Sequence, residues 1–172
     1  MVFRNTAKNQ RKVHMMNIKN LKPIALGTAA SVLFILSVSG ADKPKRVPSP
    51  PGAKVYVVSP KDGETVPRKF KVIFGLSGMG VCPAGITGEG GVPIPDTGHH
   101  HMCVDQATLP PMDDVLPIDQ PDKVLHYGKG QTETMLELAP GRHTLQLIFA
   151  DYAHVPHDPP VVSEKITVIV KE

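Results

Sequence analysis

Apolar and polar residues alternate along this chain in short runs, and turn-forming residues separate the runs. "KVYVV" (54–58) is followed by "SPKDGE", a turn with Pro, Asp and Gly. "FKVIFGL" (70–76) alternates and leads into the Gly-rich "SGMGVCPAGITGEGG". "HHMCV" (100–104) comes next, then "TMLEL" (134–138) and "HTLQLIF" (143–149) around "APGR", and "KITVIV" (165–170) closes the chain. Each run has the period of a half-buried strand. No window of ten or more residues shows helical periodicity free of Gly or Pro. The expected fold is therefore all-β, a small antiparallel immunoglobulin-like β-sandwich. Residues 106–124 carry four prolines and are expected as a surface loop.

A different pattern precedes the strands. Lys19 and Lys22 are a basic lead into the uncharged, apolar "PIALGTAASVLFILSV" (23–38). "SGAD" then puts Ser39 and Ala41 at the −3 and −1 positions of a cleavage site before Asp42. Residues 1–41 thus read as a signal peptide, with an uncleaved membrane anchor as the alternative. Met15 and Met16 are alternative starts within a long leading segment. Residues 42–53, "DKPKRVPSPPGA", form a Pro-rich tether, extended and mobile. Residues 54–172 are the sandwich domain, placed in the periplasm or otherwise exported.

Charge supports that division. The chain has 19 Lys and Arg against 16 Asp and Glu, a net charge of +3. Six of the basic residues and none of the acidic ones precede Asp42. The remainder has 13 basic against 16 acidic residues, a net of −3. A nucleic-acid partner needs a basic face, and this part has none. Contact with a membrane is expected only through an uncleaved leader.

Two cysteines, Cys82 and Cys103, lie in the exported part. An even pair in an oxidising compartment points to one disulfide, with free thiols and thiolate ligation of a metal as alternatives.

Seven of the eight histidines fall in the last half of the chain: His99, His100, His101, His126, His143, His154 and His157. Strand alternation puts His99, His101 and Cys103 on one face and His100, Met102 and Val104 on the other. The sequence does not say which face is inside. If "APGR" closes a tight hairpin, Leu138 faces His143 and Tyr127 faces His154 along the same ladder. His126, His154 and His157 then gather at the end far from the turn. His143 lies beside the turn, roughly 20 Å away at 3.3 Å per residue. Imidazole suits copper and zinc, and thioether sulfur suits Cu(I). The candidate metal ligands are therefore His99, His101, His126, His154 and His157. His100, Met102, Lys129 and Asp151 are accessory candidates. The competing reading makes the histidines a polar end of the sandwich, bonded to loop backbone and to Asp151 or Asp158.

Signals for catalysis are weak. Asp113 and Asp114 sit in a Pro-rich loop. Ser77 and Ser163 lack a nucleophile-elbow context. "GKGQTE" (128–133) lacks phosphate-loop spacing, and its glycines instead suggest a bulge or a close backbone approach beside His126.

The motifs "SPKDGETV" (59–66), "FGLSGMGVCPAG" (74–85), "TGHHHMCVD" (97–105), "LHYGKGQTE" (125–133) and "LAPGRHTLQLIFADYAHVPHDPPVVSEKITVIV" (138–170) resemble the bacterial exported domain-of-unknown-function family numbered 4399. The resemblance spans about residues 54–171. It implies a small exported β domain with no established activity. Its motif falls on Gly98, His99, His101, His126, Gly128, Lys129, Gly130, Gly141, His143, Asp151, His154, His157 and Ser163. Cys82 and Cys103 depart from the pattern, which favours an acquired disulfide over a metal ligand common to the family.

The expected function is an exported binding protein with a histidine-rich site for copper or zinc. It is not expected to be an enzyme, although a metal-dependent hydrolase is a conceivable variant. The alternative function is an envelope interaction module with structural histidines, whose partner is an envelope protein rather than a metal ion.

Overall fold

The computed structural model describes residues 42–172. The proposed signal peptide lies outside the described residues. Among the described residues, ten strands run in chain order: β1 (Lys54–Ser59), β2 (Thr65–Val66), β3 (Lys69–Ser77), β4 (Gly80–Val81), β5 (Thr97–Val104), β6 (Leu125–His126), β7 (Glu133–Glu137), β8 (Gly141–Ala150), β9 (Pro156–Val162) and β10 (Ile166–Val170). Among the described residues, the helical content is one 3-10 turn, Glu89–Gly91.

One sheet has the order β1-β3-β7. The second has β5, β8 and β10 at its centre, with β2 running parallel to β10. This is the A-B-E and C-F-G arrangement of an immunoglobulin-like sandwich. The inner faces alternate as strands require. Val55, Phe70, Val72, Phe74 and Leu136 from the first sheet meet Met102, Leu145, Leu147, Phe149 and Val168 from the second. At about 25 cal/mol per Å² of apolar surface, burying these side chains is the main stabilising term.

The "APGR" segment is not a hairpin turn. β7 pairs with β3, whereas β8 pairs with β5 and β10. The chain crosses from one sheet to the other between Glu137 and Gly141. Leu138 still donates to the Arg68 carbonyl of the first sheet (3.0 Å), and Gly141 already lies opposite Val170 in the second. Leu136 and Leu145 thus reach the same core from opposite sides. The real hairpin is β8–β9, closed by residues 151–155.

β8 is covered on both faces. Ile148 and Ala150 point outward yet are fully buried. Their cover is the 106–124 segment, whose Leu116 and Val124 pack with Cys103, Ile148 and Ala150 into a second core. That segment is therefore a packed flap rather than a simple surface loop. The apolar "LIFA" (147–150), which breaks the alternation, is the sequence trace of this double burial.

The Pro-rich tether is extended but held. Arg46 forms an ion pair with Asp158 (3.1 Å) and donates to the carbonyls of Pro156 (3.1 Å) and His157. Ser49 donates its backbone N–H to the Asp158 carbonyl (3.0 Å) and its hydroxyl to that of Pro159 (2.8 Å). Among the described residues, no helix is long and apolar enough to cross a membrane.

Candidate metal centre

β5 organises the site. Its even-numbered side chains enter the main core: Met102 is fully buried there, and the His100 ring packs between Phe74 and Phe149, 5.1 Å from each. Its odd-numbered side chains, His99, His101 and Cys103, face outward, and Cys103 packs beneath the flap. β6 pairs with β5 so that His126 lies directly opposite His101 and on the same face. On the other side, His99 lies opposite Ala150 at the end of β8. The chain turns there, and residues 151–155 bring His154 back over the same face.

Four imidazoles therefore meet. His99 and His101 are 4.6 Å apart between ring centroids, His99 and His126 5.1 Å, and His101 and His126 5.3 Å. The His154 ring lies 5.0 Å from His99, 4.8 Å from His126 and 5.9 Å from His101. One ring nitrogen from each of His99, His101 and His126 lies within 4.8 Å of the other two. Two of these residues are fully buried, and His126 is exposed at the edge.

Close packing fixes two of these positions. A Cβ on Gly128 would fall 2.2 Å from Nε2 of His126, so the missing side chain is what lets the ring lie over the backbone. The expected close approach beside His126 is thus found at Gly128. A Cβ on Gly98 would lie 2.2 Å from the Ala150 carbonyl oxygen, so β5 can approach β8 beside His99 only with glycine there.

Polar satisfaction separates the ligand candidates. Both nitrogens of His99, His100 and His101, and Nε2 of His154, are buried without a hydrogen-bond partner among the described residues. Native proteins rarely leave buried polar atoms unbonded, and each such atom costs roughly 1–3 kcal/mol. In the outward cluster the orphaned nitrogens converge on one another, as the donors of a cation site do.

Burial also keeps the His99 and His101 rings neutral. Desolvation, followed by the neighbouring His154, His126, His100 and His157, lowers the His99 pKa to about 3. Desolvation lowers His101 well below the usual value, and His99, His126 and His154 add to the effect. His126 is lowered by desolvation and then by His154. Neutral imidazole is the form that binds a metal.

The other candidates have other surroundings. His157 is fully buried but stacked on Phe149, at 6.0 Å and 15°. Its Nδ1 faces the Phe149 carbonyl (3.4 Å) and its Nε2 that of Thr97 (3.2 Å), so in either tautomer its N–H has a backbone acceptor. Met102 and His100 point into the main core, on the far side of the strand. Lys129 is exposed, with its N–H donating to the Gln131 side chain (2.9 Å). Asp151 bonds no histidine side chain. Its Oδ1 accepts from the N–H groups of Ala153 (2.8 Å) and Val155 (2.9 Å). His143 is remote from the cluster, as expected, bonded to Asp105 (2.7 Å) and to the Ala139 carbonyl (2.8 Å).

The expected disulfide is not formed; Cys82 and Cys103 are both buried free thiols. Cys82 donates its N–H to the Gly98 carbonyl (2.7 Å), which places it beside the start of β5. Cys103 lies five residues further along that strand, about 16 Å away at 3.3 Å per residue. A disulfide needs Cα atoms within about 7 Å. Burial in the second core pushes the Cys103 thiol up to about 11, which leaves it protonated and a poor ligand.

Sequence reasoning missed the flap over the site and the steric role of Gly98. The first left a trace in "LIFA". The second left none beyond a glycine within a strand.

Comparison with known proteins adds one assignment. No curated protein matches the chain. Among solved structures, one match is to "Structures of Clostridium thermocellum CbhA fibronectin(III)-like modules", at 13% identity and a TM-score of 0.35, covering 69% of this chain. This chain spans 45% of that structure's chain. The family described as "Domain of unknown function (DUF4399)" matches residues 72–171, a span that contains every histidine of the cluster. With more than half of its length matched, the chain belongs to the DUF4399 family.

Proposed function

We propose that this domain is an exported binding protein for a transition metal, copper or zinc, held by His99, His101 and His126 with His154 beside them. The observation that carries the reading is the convergence of two buried, unpartnered imidazoles, His99 and His101, with the exposed His126 on one outward face. A metal with bonds of about 2.1 Å in tetrahedral geometry needs nitrogens about 3.4 Å apart. The three nitrogens lie within 4.8 Å of one another, and a bound ion would have to draw them closer to that spacing. The donor set is all imidazole, which suits copper and zinc and offers nothing to the hard cations magnesium and calcium. Export rests on the leader sequence, and the reading is one of binding rather than catalysis.

The competing reading, an interaction module with histidines as polar filling, describes His143 and His157 well, because backbone or carboxylate groups satisfy both. It does not account for His99 and His101. Calorimetric titration of residues 42–172 with Cu(II) and with Zn(II) at pH 7.5 tests the proposal. One ion should bind per chain at micromolar affinity or tighter. Binding no tighter than millimolar, or equal binding after His101→Ala and His126→Ala together, overturns it.

A further inference from the structure

His154 differs from its three neighbours in how it is held. His99, His101 and His126 project from paired strands, but His154 sits in the turn between β8 and β9 with a positive φ of 67°. A non-glycine residue rarely adopts this conformation, and surrounding contacts must hold it there. Asp151 supplies most of them. Its Oδ1 accepts from Ala153 and Val155, its N–H donates to the Val155 carbonyl (3.0 Å), and its carbonyl accepts from the His154 N–H (3.0 Å). The carboxylate is nearly fully buried, with a relative exposure of 3%. The flap adds one tie, from the Leu116 N–H to the His154 carbonyl (3.0 Å). The 151–155 turn is thus built around a side chain that, among the described residues, makes no hydrogen bond to an imidazole and yet holds the turn that carries the fourth one.

We propose that Asp151 is the positioning residue that sets the coordination number of the site, by holding the turn that presents His154 as fourth ligand. The inference rests on the metal reading above. With Asp151 in place, a bound ion meets four nitrogens, two from β5, one from β6 and one from the turn. Without its acceptor oxygen, the backbone at His154 relaxes to negative φ, and the ring leaves an otherwise intact three-histidine site. Outer residues that orient a ligand typically account for 10–100-fold in metal affinity.

The test is Cu(II) electron paramagnetic resonance, in which nitrogen superhyperfine structure reports the number of bound imidazoles, alongside a competition assay for affinity. The expected result is a four-nitrogen signal for residues 42–172 and a three-nitrogen signal for His154→Ala. Asp151→Ala should match His154→Ala and bind 10–100-fold more weakly than the parent. Asp151→Asn keeps the acceptor oxygen and should restore four nitrogens. Asp151→Ser, whose hydroxyl makes the same turn more weakly, should give a mixture of the two signals. If Asp151→Ala does not fold, Asp151→Ser carries the test. A four-nitrogen signal of parental affinity in every Asp151 variant that folds overturns the inference and leaves the metal reading standing. Absence of any nitrogen-coordinated Cu(II) in the parent overturns both.

Discussion

His101 and His157 are both fully buried, yet their rings meet different surroundings. The His157 nitrogens face two backbone carbonyls, and its ring lies flat against Phe149. His143, at the opposite end of the domain, is likewise closed between Asp105 and Ala139. The His101 nitrogens face His99, His126 and His154 and bond to nothing among the described residues. The same side chain is thus satisfied by the fold in one place and left open as a candidate ligand in another. The difference comes from whether backbone is available to bond it. An outward strand face has used its backbone groups in the sheet, so side chains packed on it can find partners only in each other or in a bound ion.

Exchanging the two kinds of histidine gives the largest expected contrast. His101→Ala should weaken zinc or copper binding by about 100-fold or more, because a ligand is removed outright. His143→Ala should leave the affinity unchanged. Calorimetry on the two purified variants checks both, and equal losses would erase the distinction.

The strands were legible because alternation and turns mark them directly, and each of the six runs read from sequence lies on a strand to within a residue or so. β9 was not, because Pro156, Pro159 and Pro160 argue against a strand; Pro is tolerated in a strand that pairs through only a few residues. The "APGR" hairpin was misread because turn chemistry does not say whether the chain stays in one sheet. His126 and His154 still come together, but through β5 lying between β6 and β8 rather than along one ladder. Including His157 was the cost of that wrong ladder. The face of β5 was undecidable from alternation alone, since both sets hold apolar residues. It is decided by the flap, which gives the outward face a core of its own.

Metal should also stabilise the fold through the same cluster. At an ion concentration 100 times the Kd, linkage gives about 2.7 kcal/mol. For a domain of this size that is a rise in Tm of roughly 5–10 °C. Thermal melts with and without a chelator check this, and the rise should vanish in His101→Ala and persist in His143→Ala.

The two kinds of histidine should also respond to pH with opposite signs. For His99 and His101, burial lowers the folded pKa, to about 3 for His99, while the unfolded value stays near 6.5. Below pH 6.5 the unfolded chain takes up protons that the fold refuses, so metal-free stability falls as pH drops from 6.5 toward 3. The hydrogen bond that His143 donates to the Asp105 carboxylate raises its pKa. Its contribution is present below pH 6.5 and lost as pH rises through its folded pKa. Urea midpoints against pH should therefore show a shallower acid decline in His101→Ala. The deficit of His143→Ala should be largest at low pH and fade above neutrality.

Smaller effects sharpen the picture. Gly128→Ala should push the His126 ring aside and weaken metal binding about tenfold with little change in Tm, as expected of a residue that orients a ligand. Thiol titration of unreduced, denatured protein should find both cysteines free, and Cys82→Ser should leave metal affinity unchanged.

The most direct test of the cluster is X-ray absorption on the zinc-loaded domain, residues 42–172. The arrangement predicts three or four nitrogen ligands at about 2.0–2.1 Å with the multiple scattering of imidazole. A shell of oxygens without imidazole scattering, or sulfur at about 2.3 Å, would contradict it.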